Sequence, residues 1–228
     1  MQTIKPTAGL SRWIAWLCYT SVLLFGAYIL ADALFFAVFY IRSHGADVPF
    51  SSAMIMAVRS AVWLSPKLSV LIVAGLLVTA LLSFFWLHRS RANLDALNVA
   101  GLNYSPGWCV GWWFIPVANL VMPYRVVSEI DRGSRWRDKW VEHGTPGLVT
   151  TWWLTYLFYG ILLRGSQALA KDNKDLMLIA IGMEIVARVL AIIAALSFAR
   201  LVLRVHEAQV GTPAEAPAAN AAMLAEPA

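Results

Sequence analysis

Charge is scarce in this chain, and so are the residue patterns from which catalytic sites in water are built. Of its 228 residues 14% are charged and 60% hydrophobic, and the mean hydropathy is +0.65. An ordinary soluble domain carries about 25% charged residues, so that class is excluded and an integral membrane protein is implied. The two cysteines, Cys18 and Cys109, both fall inside apolar segments. They make no disulfide framework and say nothing about redox compartment. The four histidines, His44, His88, His143 and His206, stand singly, with no H-E-x-x-H, no Cys/His pair at zinc spacing and no carboxylate cluster beside them. No metal and no cofactor is expected. The chain also lacks G-x-S-x-G, a P-loop and G-x-G-x-x-G, which excludes a soluble-type catalytic machine but not an intramembrane enzyme built from dispersed residues.

A net charge of +5 would point to nucleic acid in a soluble chain. Here the cations flank apolar runs, where the positive-inside bias and anionic lipid account for them, and no basic and aromatic platform for single strands occurs outside those runs. The partners expected are membrane lipids, anionic headgroups on the cytoplasmic side above all, with a protein partner as a further possibility and no nucleic acid.

What is present is a series of apolar runs. Trp13 to Ile41 is one continuous run, about 43 Å as a helix, enough to cross a hydrocarbon core of about 30 Å. Ala31-Asp32-Ala33 imitates a signal cleavage site, but the run continues past it and reads as an uncleaved signal-anchor. The second span is read as Leu68 to Leu87, with Ser65-Pro66 as its start and His88-Arg89-Ser90-Arg91 as its cationic close. Residues 42–67 then form a link containing a moderately amphipathic stretch. A third span follows Thr145-Pro146 and runs from Val149 through Leu163 toward Ala170, with Arg164 snorkelling. The fourth is Leu176 to about Ala199. Residues 1–207 are thus one transmembrane domain, and the Ala- and Pro-rich 208–228 reads as a disordered tail.

The stretch Ser105-Pro-Gly-Trp-Cys-Val-Gly-Trp-Trp-Phe-Ile-Pro-Val-Ala-Asn-Leu-Val-Met-Pro-Tyr124 is as apolar as a span yet interrupted. Trp108 to Met122 gives only about 22 Å of helix, and Pro116 and Pro123 break the ladder. A re-entrant or kinked element packed among the helices fits, since broken backbone at membrane depth needs protein or water around it. Gly107 and Gly111 form a G-x-x-x-G that would permit close helix approach. Asn119 is expected to satisfy backbone groups freed at Pro116, with ligand contact as the alternative. With this stretch re-entrant and both termini inside, most cations, including Lys5, Arg12, Arg89, Arg91 and the cluster Arg125 to Lys139, lie on the cytoplasmic side. After Pro123, Val126, Ile130, Gly133, Trp136 and Trp140 recur at helical steps, with Arg125, Glu129, Arg132, Arg135 and Lys139 on other faces. This reads as an interfacial amphipathic helix.

One motif carries a family resemblance. Arg91-Ala-Asn93, then Ser105-Pro106-Gly107-Trp108, Gly111-Trp112-Trp113, Pro116 and Asn119, then Pro123-Tyr124 resemble the bacterial membrane proteins of domain-of-unknown-function family 4328. The resemblance is specific over residues 86–132 and, in span arrangement, extends loosely from the first span to about Ala208. Asp131-Arg132 stands where the family would have Trp-Arg, a departure expected to alter only the interfacial helix. The resemblance implies a bacterial inner-membrane location and a shape, but no activity.

Three charges remain inside spans: Asp32 in the first, and Glu184 with Arg188 one turn apart in the last. Counted inward from the outer helix ends, Asp32 and Glu184 lie at nearly equal depth, so the three are candidates for one site. The expectation is an all-α polytopic membrane protein with four spans, a re-entrant Trp/Pro element and a cytoplasmic amphipathic helix, acting as a non-enzymatic module toward lipids or partner proteins. The alternative is a small transporter or channel subunit whose polar pathway uses Asp32, Glu184, Arg188 and Asn119; an intramembrane enzyme is the third reading.

Overall fold

The structure is a computed structural model that describes residues 3–43, 51–172 and 176–211. Residues 173–175 between the third and fourth expected spans, His44 and the tail from 212 onward lie outside the described residues. Among the described residues six α-helices follow in order: α1 (Ala8–Ser43), α2 (Ser52–Ala96), α3 (Pro106–Gly111), α4 (Met122–Trp136), α5 (Gly147–Asp172) and α6 (Met177–Val210). Short 3-10 turns lie between α3 and α4 and between α4 and α5. No strand occurs among the described residues.

The chain is an α-helical multi-pass membrane protein: α1, α2 and α6 are each long and apolar enough to cross a bilayer. They are apolar on all sides, as lipid-exposed helices are. At 26 residues, α5 is about 39 Å long, but its Trp, Tyr and Thr residues make it less apolar than those three. The four long helices pack in the order α2, α1, α6, α5. They alternate in direction: the start of α1 meets the ends of α2 and α6, where Lys5 N donates to Asn93 and Thr7 Oγ1 meets His206 Nδ1. The main core gathers Ile14, Trp86, Val126, Ile130, Leu201 and Val205 at this same end. A smaller cluster of Phe25, Tyr28, Ile72 and Ala191 lies toward the opposite end.

Two boundaries differ from the sequence reading. Residues 52–67 are not a link but the first part of α2, which starts at a Ser51 cap whose Oγ accepts from Met54 N at 3.2 Å. Pro66 sits inside the helix rather than at its start. A proline removes one N–H from the ladder and orphans the carbonyl four residues back; here Ser65 Oγ donates to Val62 O at 3.3 Å and fills that vacancy. At the other end of the chain α6 runs on to Val210, with Gln209 buried, so the helix extends past the expected domain end at 207.

Candidate functional site

The three intramembrane charges meet. Asp32 of α1 pairs with Arg188 Nη1, and Glu184, one turn earlier on α6, accepts from Arg188 Nη2 at 2.9 Å. Tyr28, one turn before Asp32, places its ring 4.7 Å from the guanidinium, and Ser166 of α5 donates to the second Glu184 oxygen at 3.4 Å. Arginine suits this position because its planar fork serves two carboxylates at once and is less strongly hydrated than an ammonium. The site therefore ties α1, α5 and α6 together, with two carboxylates facing one guanidinium. Asn119 is not among its partners. It lies in the 3-10 turn Ala118–Leu120, where its backbone N–H donates to Ile115 O at 2.7 Å. That backbone bond, not the amide side chain, closes the turn at Pro116; the side-chain Oδ1 has no hydrogen-bond partner.

A second polar assembly, larger than the first, occupies the end of the bundle where the termini lie. Asn93 is buried, and its amide grips the N-terminal segment from both sides, accepting from Lys5 N at 2.7 Å and donating to Lys5 O at 3.0 Å. The same amide donates to Gln209 Oε1 at 3.1 Å, while Gln209 Nε2 donates to Ser90 O and Ser134 Oγ, both at 2.9 Å. Arg91, 5% exposed, donates to Asp95 at 2.7 Å and lies 3.8 Å from Glu129 of α4. Glu129, 2% exposed, accepts from Asn103 N at 2.9 Å, Asn103 Nδ2 at 2.8 Å and Tyr104 N at 3.3 Å. One carboxylate thus holds the loop that leads into the Trp/Pro element. Arg132 Nη1 donates to His143 O at 2.8 Å and Trp140 Nε1 to Ala100 O at 2.9 Å, so the loop after α4 is fixed as well.

The environment of α4 is accordingly a packed one. Its residues Val126 to Asp131, with Gly133 and Ser134, are buried, and Arg125 and Arg135 are exposed. A Cβ at Gly133 would meet Leu94 Cδ1 at 3.0 Å, so α4 and α2 approach closely there and any side chain would require Leu94 to give way. Asp131 is fully buried and takes a bidentate pair from Arg204 of α6 at 3.0 and 2.8 Å, with Arg135 at 4.0 Å. Its effect thus reaches α6 and is not limited to the helix surface. Burial pushes the Asp131 carboxyl above the usual range, against the opposing pull of Arg204, Arg135 and Arg132.

The Trp/Pro element is built on the same loop. Pro106 opens α3 in its first turn, where its missing N–H costs nothing. Trp108 and Trp112 lie 4.8 Å apart, and Trp113 meets Phe84 of α2 and Trp153 of α5 edge-on, each at 5.9 Å. Trp153 Nε1 also donates to Leu120 O at 3.1 Å, so the element bridges α2 and α5. Ile115, preceding Pro116, is extended, as a residue before proline must be. The tip beyond it is apolar and open, with Val117 81% and Phe114 71% exposed. Gly107 and Gly111 do not mediate helix approach: a Cβ at Gly107 would meet nothing, and one at Gly111 would meet only Trp108 of its own helix.

Of the motif residues, Arg91 and Asn93 enter the polar assembly, and Trp112, Trp113 and Tyr124 pack on the main core. Tyr124 also lies 3.2 Å from Thr150 of α5. From sequence, Glu129 reads only as a charge on an outer face of the amphipathic helix and Asp131 only as a departure from the family pattern, while Ser134 and Gln209 carry no signal. Their partners lie far away along the chain, and Gln209 falls in what reads as tail. Chemically the assemblies tie and orient; each charged member faces an opposite charge or a backbone group. Both cysteines are free and buried, and among the described residues no group of three or more His, Cys, Asp or Glu could hold a metal ion.

No curated protein and no solved structure matches the chain. A family model described as Domain of unknown function (DUF4328) matches residues 52–207. The match begins with the first residue of α2 and takes in the loop, the Trp/Pro element, α4, α5 and most of α6, leaving α1 and its Asp32 outside. With both polar assemblies anchored in that matched region, the chain belongs to the DUF4328 family.

Proposed function

We propose that the protein is a non-enzymatic module of the bacterial inner membrane in which α1, α2, α5 and α6 all cross the bilayer. Residues 105–124 re-enter it, both termini are cytoplasmic, and the exposed cations at that end bind anionic headgroups. The observation that carries this reading is the use made of the family motif. Its buried polar residues Arg91 and Asn93 bond to Asp95, Glu129, Gln209 and the Lys5 backbone, and Glu129 in turn holds the loop beneath an apolar tip. Support for a fourth span comes from α5, which packs along α6 and leaves Leu154, Phe158 and Ile161 exposed; in a bilayer these meet lipid. Support for re-entry comes from the Arg91–Glu129 pair, which joins the end of α2 to α4 on the same side of the element. The exposed Arg125, Arg135 and Lys139 lie at that end, and Arg135 rests 4.1 Å over the Trp136 ring, a combination suited to the headgroup layer. A polar conduit draws less support, because Asn119 is not among the partners of the triad.

The test is lipid-dependent stability. In nanodiscs, phosphatidylglycerol is expected to raise the melting temperature relative to phosphatidylcholine. Arg125→Gln, Arg135→Gln and Lys139→Gln together should remove most of the gain, at about 1 kcal/mol per cation, in a salt-dependent manner. Equal melting temperatures in the two lipids would discard the headgroup reading.

A further inference from the structure

A cavity of about 440 Å³ lies between α2 and α5, floored by α1 and α6. Its floor is made of Cys18, Phe25, Ala191 and Ala194, all buried, and its rim of Leu77 and Tyr156, both exposed. α2 and α5 share no packed interface, so the cavity opens sideways between them. Trp113 closes the end toward the termini by bridging Phe84 and Trp153. Phe25 and Tyr159, 6.0 Å apart and edge-on, close the end toward the triad. The three hydroxyls on the α1 and α2 walls each donate to a carbonyl of their own helix at 2.7 Å: Ser21 to Cys18, Thr79 to Gly75 and Ser83 to Thr79. The hydroxyls of Tyr156 and Tyr159 and the indole nitrogens of Trp113 and Trp152 belong to otherwise apolar aromatic rings, so the wall as a whole is predominantly apolar.

We infer that this cleft holds one acyl chain of a membrane phospholipid, entering laterally between α2 and α5. The inference deepens the proposed function and rests on its reading that both of these helices lie in the bilayer. Left empty, an apolar void of this size would forfeit packing comparable to a typical protein's entire net stability. The predominantly apolar wall gives water few partners. At roughly 30 Å³ per methylene-sized group the volume suits on the order of fifteen such groups, about one acyl chain. A helix of a second copy does not fit, since two turns of a cylinder 10–12 Å across need on the order of 1000 Å³. The hollow exists because alanines stand at Ala80, Ala191, Ala194 and Ala195 where larger residues would fill it. Lipid tails are as apolar as the wall, so the chain is retained by shape and dispersion and not by the hydrophobic effect.

The experiment is photolysis of the full chain in nanodiscs containing a phospholipid with a mid-chain diazirine on one acyl chain, with adducts mapped by peptide mass spectrometry. Adducts are expected on the floor, at Cys18, Ser21 and Phe25 of α1 and at Ala191, Ala194 and Ala195 of α6, above the level at the exposed Leu30. The paired filling change Ala80→Phe and Ala195→Phe should lower the floor adducts about tenfold, whereas Leu81→Phe, on an exposed position outside the cleft, should leave them unchanged. Floor labelling no greater than at Leu30, or floor labelling that persists in a filled and folded variant, would overturn the inference. If the filled variant does not fold, the map of the unaltered chain decides alone. Disulfide cross-linking of two copies through Leu77→Cys in nanodiscs would also overturn it, because a second copy would then cover the cleft. Floor labelling without any phosphatidylglycerol effect would keep the cleft and discard the headgroup reading, so the two proposals fail separately.

Discussion

Replacing Arg188 by leucine is expected to destabilise the protein by about 3–5 kcal/mol, the usual cost of removing one partner from a buried ion pair. The cost is set by what remains. Asp32 and Glu184 both point at the vacated guanidinium position, inside a segment where ionised groups are expensive unless paired. The Tyr28 ring loses its cation as well. Combining Arg188→Leu with Asp32→Asn and Glu184→Gln should recover most of the loss, because no net charge is then left in the membrane and Ser166 still has an acceptor at position 184. Thermal melts of the single and triple variants in mild detergent compare them. Equal losses would mean that the three residues do not act as one network.

Arg204→Gln is the second large effect, again about 3–5 kcal/mol, and its signature is pH dependence. Asp131 is fully buried and depends on Arg204 for both of its close bonds. Burial already holds its carboxyl above the usual range, and losing the strongest opposing charge pushes it further up, with Arg135 and Arg132 the remaining cations nearby. A carboxyl whose folded pKa is raised stabilises the fold below its unfolded pKa, and that contribution is lost as pH rises through the folded pKa. From alkaline to acid pH, the deficit of Arg204→Gln relative to the parent should therefore shrink as Asp131 takes up a proton. Melting temperatures across that interval measure it. A deficit independent of pH would show that Asp131 does not carry the effect.

How much of this was legible in the sequence depended on distance along the chain. α1 and α6 announce themselves as long apolar runs, and the triad follows from helical rise, since Asp32 and Glu184 count to equal depth from opposite directions. The resemblance at Arg91, Asn93 and the Trp/Pro stretch led to the family that the match to residues 52–207 establishes. The start of α2 was misread because Ser65-Pro66 has the form of a helix start, whereas Ser65 compensates a proline inside the helix. The surroundings of α4 were misread for another reason. Its periodic charges look solvated when viewed locally, but Glu129 belongs to Arg91 and the Asn103 loop, and Asp131 to Arg204, 73 positions away. No local pattern encodes such pairs. The glycine pattern at Gly107 and Gly111 had the spacing of a contact, but no neighbouring helix lies there, while Gly133, which carries no motif, is the one pressed against α2.

In the proposed topology the Trp/Pro element leaves and returns on one side of the membrane, held there by the motif. Its flanks can be read directly by single cysteines at Ala100 and Glu142, both exposed, and at Ser51 at the other end of α2, in a background lacking Cys18 and Cys109. An impermeant maleimide applied to intact cells should label Ser51→Cys alone, and inverted vesicles should expose Ala100→Cys and Glu142→Cys together. Labelling of Ala100→Cys and Glu142→Cys from opposite sides would mean that residues 105–124 cross the bilayer, and would contradict the account.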